Sequence, residues 1–266
     1  MGDSSLMASG RVHFTRRGQG RSLILIHGIL SSSFVWRRNI DALARHFDVV
    51  ALDLMGHGGS DMVEGETYTR ESLRRFMTEF MDTIGIRKAS FVGHSWGGGI
   101  AVDLARAHPE RVEKLVLIDS TGYPGGNRLA EWLITRCGIL APLLGPFGKF
   151  LVRGALARSV FFDRDLMTEE EVDGWLRSVR SSVGSLSKLR NYEMIMDSEI
   201  RKVSHPTLII WGKEDRVMPH ELAERFHRDI DRSILKVIDR CGHNPQEEKP
   251  EEVNRVIRDF LLRRDG

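Results

Sequence analysis

Six short, unbroken apolar runs, separated by longer amphipathic stretches, constrain this chain more than any other feature. They are Leu23–His27, Val49–Asp53, Ser90–Gly93, Leu115–Asp119, Thr207–Trp211 and Leu235–Asp239. Runs without polar alternation predict strands covered on both faces, as in a parallel sheet. Val12–Thr15 predicts an earlier edge strand. Between the runs, Asn39–Arg45, Arg70–Ile84, Gly98–Ala107, Glu221–Arg228 and Glu251–Leu262 carry helical patterns. Such alternation predicts an α/β protein with a doubly wound, mostly parallel sheet.

The alternation lapses between Gly122 and Val203. Here Arg128–Cys137, Phe147–Arg158, Thr168–Val179 and Leu186–Asp197 predict helices without intervening strands. Thr168 and Glu171 have the spacing of a capping box. The stretch reads as a helical insertion over the carboxyl ends of the strands, where the ligand crevice of such a sheet lies. The expected division is a core of residues 1–121 and 204–266 and a helical cap of 122–203, which would serve as a packing subdomain or a substrate lid.

Composition excludes several classes. The 266 residues are 41% apolar and 29% charged, an ordinary globular balance. Thirty-nine basic against 37 acidic residues leave a net charge of +2, too even to argue for nucleic acid. The 10 histidines include no His-Glu-x-x-His, and there is no Cys-x-x-Cys, so no metal site is expected. Cys137 and Cys241 do not imply a disulfide framework. No secretory signal is visible, and no run approaches the roughly 20 apolar residues of a membrane span. A cytoplasmic protein without a transmembrane segment is the expectation.

The strongest chemical signal is Gly93-His94-Ser95-Trp96-Gly97, between an apolar strand and a helical stretch. That is the strand–turn–helix setting of a G-x-S-x-G nucleophile elbow. Its turn is sharp, so glycine at 93 and 97 lets strand and helix approach without Cβ clashes. A serine hydroxyl needs a base to act as nucleophile. His243, in Cys241-Gly242-His243-Asn244-Pro245 after the last strand, is the candidate base. The histidine needs a carboxylate to orient it, and Asp215 in Gly212-Lys213-Glu214-Asp215 is placed for this. Glu214 is its neighbour and competitor, and Asp119 is an alternative acid. Donors for an oxyanion are expected from the main-chain N–H groups of Ile29, after the first apolar run, and of Trp96, after the nucleophile. His27 reads as a loop brace.

With His27-Gly28, the segment Asp53 to Ser60, the elbow at Ser95, Asp119, Trp211 to Asp215 and Gly242-His243 in this order, the chain resembles the α/β-hydrolase fold family. The resemblance implies that Asp53 braces a loop near the site and that Gly122 to Val203 corresponds to the family's helical cap. Serine at the elbow sets the chain apart from the family's haloalkane dehalogenases and epoxide hydrolases, which use aspartate there. Its C–C bond hydrolases share the serine, the cap and a tryptophan after the oxyanion strand, as at Trp36. Their oxyanion loop is richer in glycine than His27-Gly28-Ile29-Leu30-Ser31-Ser32.

The expected activity is therefore a serine hydrolase that cleaves a carboxylic ester of a small to medium apolar substrate through an acyl-enzyme on Ser95. The alternative is a C–C bond hydrolase of a vinylogous diketone, and the alternative outside enzymes is a ligand receptor on the same scaffold. No cofactor or metal is required. A small-molecule substrate is the expected partner, no nucleic acid is, and a homodimer is compatible.

Overall fold

Continuous apolar runs need cover on both faces, and that requirement builds the sheet. In this computed structural model, residues 3–7, 10–63, 65, 67–123, 146–185, 188 and 197–263 are described. Eight strands form one sheet: β1 (Asp3–Met7), β2 (Gly10–Arg17), β3 (Ser22–Ile26), β4 (Asp48–Leu52), β5 (Ala89–His94), β6 (Val112–Ile118), β7 (Thr207–Gly212) and β8 (Ser233–Ile238). Their order is β1-β2-β4-β3-β5-β6-β7-β8. From β4 to β8 every pairing is parallel, while β1 with β2 and β2 with β4 are antiparallel. All of β4 and β5 is buried, as are Leu23 to Ile26 in β3 and Leu115 to Ile118 in β6. The predicted parallel strands therefore lie where their patterns place them.

The helices are α1 (Ile40–Leu43), α2 (Arg70–Thr83), α3 (Trp96–Ala107), α4 (Pro146–Ser159), α5 (Glu169–Ser182), α6 (Asp197–Ile200), α7 (Glu221–Asp229), α8 (Pro245–Glu248) and α9 (Pro250–Leu262). α2 starts on a capping box in which Thr69 Oγ1 accepts from the Ser72 N–H at 3.1 Å and Ser72 Oγ accepts from the Thr69 N–H at 2.9 Å. α5 starts where Thr168 Oγ1 accepts from the Glu171 N–H at 3.3 Å, as the spacing predicts. α4 and α5 follow β6 and precede β7, within the predicted insertion. The predicted helix Arg128–Cys137, with Cys137, lies outside the described residues, and so does nearly all of Leu186–Asp197. Among the described residues, no helix is long and apolar enough to cross a membrane.

Three local expectations change. Val12–Thr15 extends to Gly10–Arg17 and is not the edge, because β1 pairs outside it. β1 has mostly polar, half-exposed residues, so it carries no apolar run to signal it. The helix expected over Asn39–Arg45 shrinks to one turn. The helix expected from Gly98 begins at Trp96, directly after Ser95.

Phe91, fully buried in β5 between parallel neighbours, tests the two-sided cover. Phe91→Ala is expected to cost about 3–5 kcal/mol, seen as a lower urea midpoint with the slope unchanged.

Candidate functional site

Ser95 stands at the end of β5 with φ 52° and ψ −118°, a backbone region that L side chains avoid. Such a conformation costs about 1–3 kcal/mol and persists only when its surroundings enforce it. They do so here through contacts of main chain on main chain. A Cβ on Gly93 would run into the Gly97 carbonyl, and a Cβ on Gly97 would run into the carbonyls of Ile26 and His27. The Ser95 N–H donates to Ile118 O at 2.9 Å, and its carbonyl accepts from the Gly98 and Thr121 N–H groups, each at 3.0 Å. Trp96 opens α3, so its N–H lies at the helix's positive end beside the serine.

His243 lies in the turn between β8 and α8. Its Nδ1–H donates to Asp215 Oδ2 at 2.7 Å. Asp215 Oδ1 accepts from the N–H groups of Val217 at 2.7 Å and Met218 at 3.0 Å. Burial pushes the Asp215 carboxyl up, but the His243 partner, then the Asp119 side chain and the Met218 amide, outweigh it and hold it below the usual range. The structure thus brings together the two residues that sequence places 28 positions apart. Glu214, the competitor, faces elsewhere: its Oε2 accepts from the Cys241 N–H at 2.9 Å and braces the loop.

Asp119 sits closer to this pair than its position at the end of β6 suggests. One ligating atom each from Asp119, Asp215 and His243 lies within 4.8 Å of the others. Among the described residues this is the group whose spacing could hold a metal ion. Nδ1 of His243 carries the proton it shares with Asp215, so it has no lone pair to offer a metal in this arrangement.

His94 and Glu248 carry roles that the sequence did not reveal. The His94 Nε2–H donates to the His243 carbonyl at 2.8 Å, tying the histidine loop to the residue before the nucleophile. Burial, then the nearby His243, push His94 down to about 3, so it is neutral. Glu248 accepts from the N–H groups of Gly242 at 2.7 Å, Phe162 at 2.9 Å and Asp163 at 3.1 Å. It staples the His243 loop to the segment after α4. His94 lies inside the elbow motif, which was its one available signal; Glu248 had none.

The loop after β3 packs directly on the elbow. A Cβ on Gly28 would lie 3.1 Å from Ser95 Cβ and 3.2 Å from His94 Nδ1. Ile29 follows, then Leu30 at φ 56°. His27 braces this loop as expected: its Nδ1–H donates to Gly28 O at 2.7 Å, and Nε2 accepts from the Leu54 N–H at 3.0 Å. α5 grips the far end, where Ser32 Oγ and Ser178 Oγ lie 2.7 Å apart and Ser182 Oγ donates to Ser31 O at 3.2 Å. Arg38 pairs with Glu171 of α5 at 2.7 Å, and Arg37 pairs with both Glu171 and Glu247.

Asp53 fixes the far end of the same loop from the other side. Oδ1 accepts from the Ser33 N–H at 2.6 Å, and Oδ2 meets His13 Nδ1 at 2.8 Å and the Gly59 N–H at 2.9 Å. Burial opposes its charge, but His13, the neighbouring His27 and these amides hold the carboxyl down at about 2. The arrangement as a whole offers a serine hydroxyl at the elbow, a carboxylate-paired imidazole and main-chain N–H groups at one end of a parallel sheet. That set suits addition to a carbonyl carbon.

A family model described as alpha/beta hydrolase fold matches residues 21–250. The chain is 30% identical to the uncharacterized hydrolase YugF of Bacillus subtilis over 94% of this chain and 92% of that one. It is 31% identical to a 2-hydroxy-6-oxononadienedioate/2-hydroxy-6-oxononatrienedioate hydrolase of Burkholderia vietnamiensis, over 95% of this chain and 91% of the other. Among solved structures it is similar to the meta-cleavage product hydrolase CumD of Pseudomonas fluorescens IP01, with TM-score 0.83, 30% identity and 98% of each chain covered.

The Asp53 brace has a pH signature. Its carboxyl is depressed from 3.8 to about 2, so it contributes stability above the unfolded value that is lost as pH falls through the folded one. Asp53→Asn is expected to lose about 2 kcal/mol at neutral pH. It should also flatten the loss of stability in the acid range, as measured by urea denaturation at a series of pH values.

Proposed function

This chain belongs to the alpha/beta hydrolase fold family, and we propose that within it the protein is a serine hydrolase that cleaves a C–C bond beside a ketone in a 2-hydroxy-6-oxo-dienoate. This reading replaces the ester as the first choice. The observation that carries it is the extent of likeness to the hydrolase of Burkholderia vietnamiensis, named for substrates of that class, over 95% of this chain. The His243–Asp215 pair, tied through the His243 carbonyl to His94 next to the elbow serine, supports the chemistry.

In this scheme Ser95 Oγ adds to the ketone carbon while His243 Nε2 takes its proton. Asp215 holds the imidazolium, and the amides of Ile29 and Trp96 receive the oxyanion. The bond to the neighbouring carbon then breaks. With the substrate in its 2-oxo tautomer, the 2-hydroxyl proton having moved to that neighbouring carbon, the electron pair passes through the remaining C=C bond to the 2-oxo oxygen, which takes the proton from His243 as the fragment leaves as a 2-hydroxy dienoate. Water, deprotonated by His243, attacks the acyl group on Ser95 and releases the second acid. Residues 122–203 act as the cap over this site.

Ester hydrolysis is the second reading, with the same residues and an alkoxide leaving group. Two observations favour it. The Arg37 and Arg38 guanidiniums beside the loop after β3 are already engaged by Glu171 and Glu247, whereas a dienoate brings a carboxylate to be held. That loop also carries Ile29 and Leu30 side chains.

The test compares kcat/KM for a 2-hydroxy-6-oxo-dienoate with a series of p-nitrophenyl esters. Faster turnover of the dienoate is expected, and Ser95→Ala should lower kcat by roughly 10⁴-fold or more. Faster turnover of the esters selects the second reading. Turnover that survives in Ser95→Ala contradicts both.

A further inference from the structure

Asp119 is a buried carboxyl beside the pair that the scheme above does not use. Its side chain is fully buried. It leaves β6 at φ 43°, a backbone that aspartate and asparagine tolerate better than most residues. Oδ1 accepts from the Gly212 N–H at 3.0 Å, at the end of β7. Oδ2 is also buried, and no N–H or O–H donor among the described residues reaches it. The group it does meet is another carboxyl, that of Asp215.

Two buried carboxylates in contact cannot both be ionised, and the proton goes to the one with fewer donors. Asp215 has three: the Val217 and Met218 amides and the His243 Nδ1–H. Asp119 has one. Among the described residues the other titratable groups that bear on Asp119 are His243, within 4.8 Å of it and already paired with Asp215, Glu248 of α8 and the Cys241 thiol, and the negative charge of Glu248 also favours a neutral Asp119. Burial, then the Asp215 charge, push the Asp119 carboxyl well above the usual range, in agreement with the geometry.

We propose that Asp119 is a neutral carboxylic acid whose Oδ2–H donates to Asp215, extending the His243–Asp215 pair into a three-member hydrogen-bonded chain. The inference rests on the reading of Ser95, His243 and Asp215 as the reacting machinery. Asp119 lies outside it and acts through Asp215, as a positioning residue. Its hydrogen bond fixes the plane of the Asp215 carboxylate and draws off part of its charge. That charge would otherwise raise the basicity of His243. The residue also joins the ends of β6 and β7 through Gly212, so one side chain sets both the backbone under Asp215 and the carboxylate itself.

The first measurement needs neither substrate nor variant. In protein labelled only at aspartate carboxyl carbons, NMR should find one carboxyl that stays protonated through neutral pH, and Asp119→Asn should remove that signal. If every aspartate titrates as an ordinary acid, the proposal is wrong even though the hydrolase reading stands. The second measurement is the pH profile of kcat/KM on the substrate identified above. Asn is close in shape, keeps an N–H donor toward Asp215 and an oxygen toward Gly212, and accepts the φ of 43°. Asp119→Asn is therefore expected to keep kcat within about threefold and to leave the acidic limb in place. Asp119→Ala removes the donor, so kcat is expected to fall about tenfold with KM little changed, and the acidic limb should move to higher pH. An acidic limb that moves to lower pH in Asp119→Asn would mean that a negative charge had been removed, and would overturn the proposal.

Discussion

The backbone of Ser95 is the constraint on which the rest of the site depends. A residue held at φ 52° between a buried strand and a buried helix needs its neighbours to leave no alternative. β5 supplies rigidity because both of its faces are covered, and α3 supplies it because its first ten residues are buried. Glycines at 93 and 97 then let the two elements meet main chain to main chain. The four non-glycine residues at positive φ among the described residues are Leu30, Ser95, Asp119 and Arg240, and they follow β3, β5, β6 and β8. Strain is thus gathered at the carboxyl edge of the parallel strands, where the fold leaves its crevice.

Electrostatically the site is kept simple. His27, His57 and His94 all lie near the elbow, and burial lowers all three, to about 3 in His57 and His94. These imidazoles therefore serve as neutral hydrogen-bonding braces. His243 alone of the group faces the Asp215 carboxylate, a partner that would stabilise its cation. The loops around this site are fastened by other carboxylates, Asp53 and Glu248 buried and Glu214 half-buried. Asp53 holds the loop with Ile29, Glu214 holds Cys241, and Glu248 holds Gly242. In each case a carboxylate accepts main-chain N–H groups, which fixes a loop without a bulky core of its own.

Much of this was legible in the sequence, for identifiable reasons. Parallel strands announce themselves where both faces are buried, so β3 to β7 appear as apolar runs, while the half-buried edge strand β8 carries Lys236 within its run. β1 has one half-exposed face and polar residues, and nothing local marks it. The elbow was readable because glycine at 93 and 97 is required by close approach, and His243 and Asp215 because each follows an apolar strand in a glycine-marked turn. Asp119 was visible as a strand-end acid, but its contact with Asp215 depends on β6 and β7 being neighbours in space. His94 and Glu248 act through their side chains on main-chain atoms far away in sequence, at 149 and 6 to 86 positions, and no spacing rule reports such bonds. The reaction was the least legible part, since ester and C–C hydrolysis share every residue named here.

The central claim is that the elbow and the His243–Asp215 pair make Ser95, among all the serines of the chain, an activated nucleophile. Covalent labelling by a serine-reactive fluorophosphonate, with the modified residue located by mass spectrometry, tests it without assuming a substrate. The account predicts one adduct, on Ser95, formed rapidly by the wild-type protein and lost in His243→Ala. A folded protein that stays unlabelled, or that is labelled equally well on another serine, would contradict it.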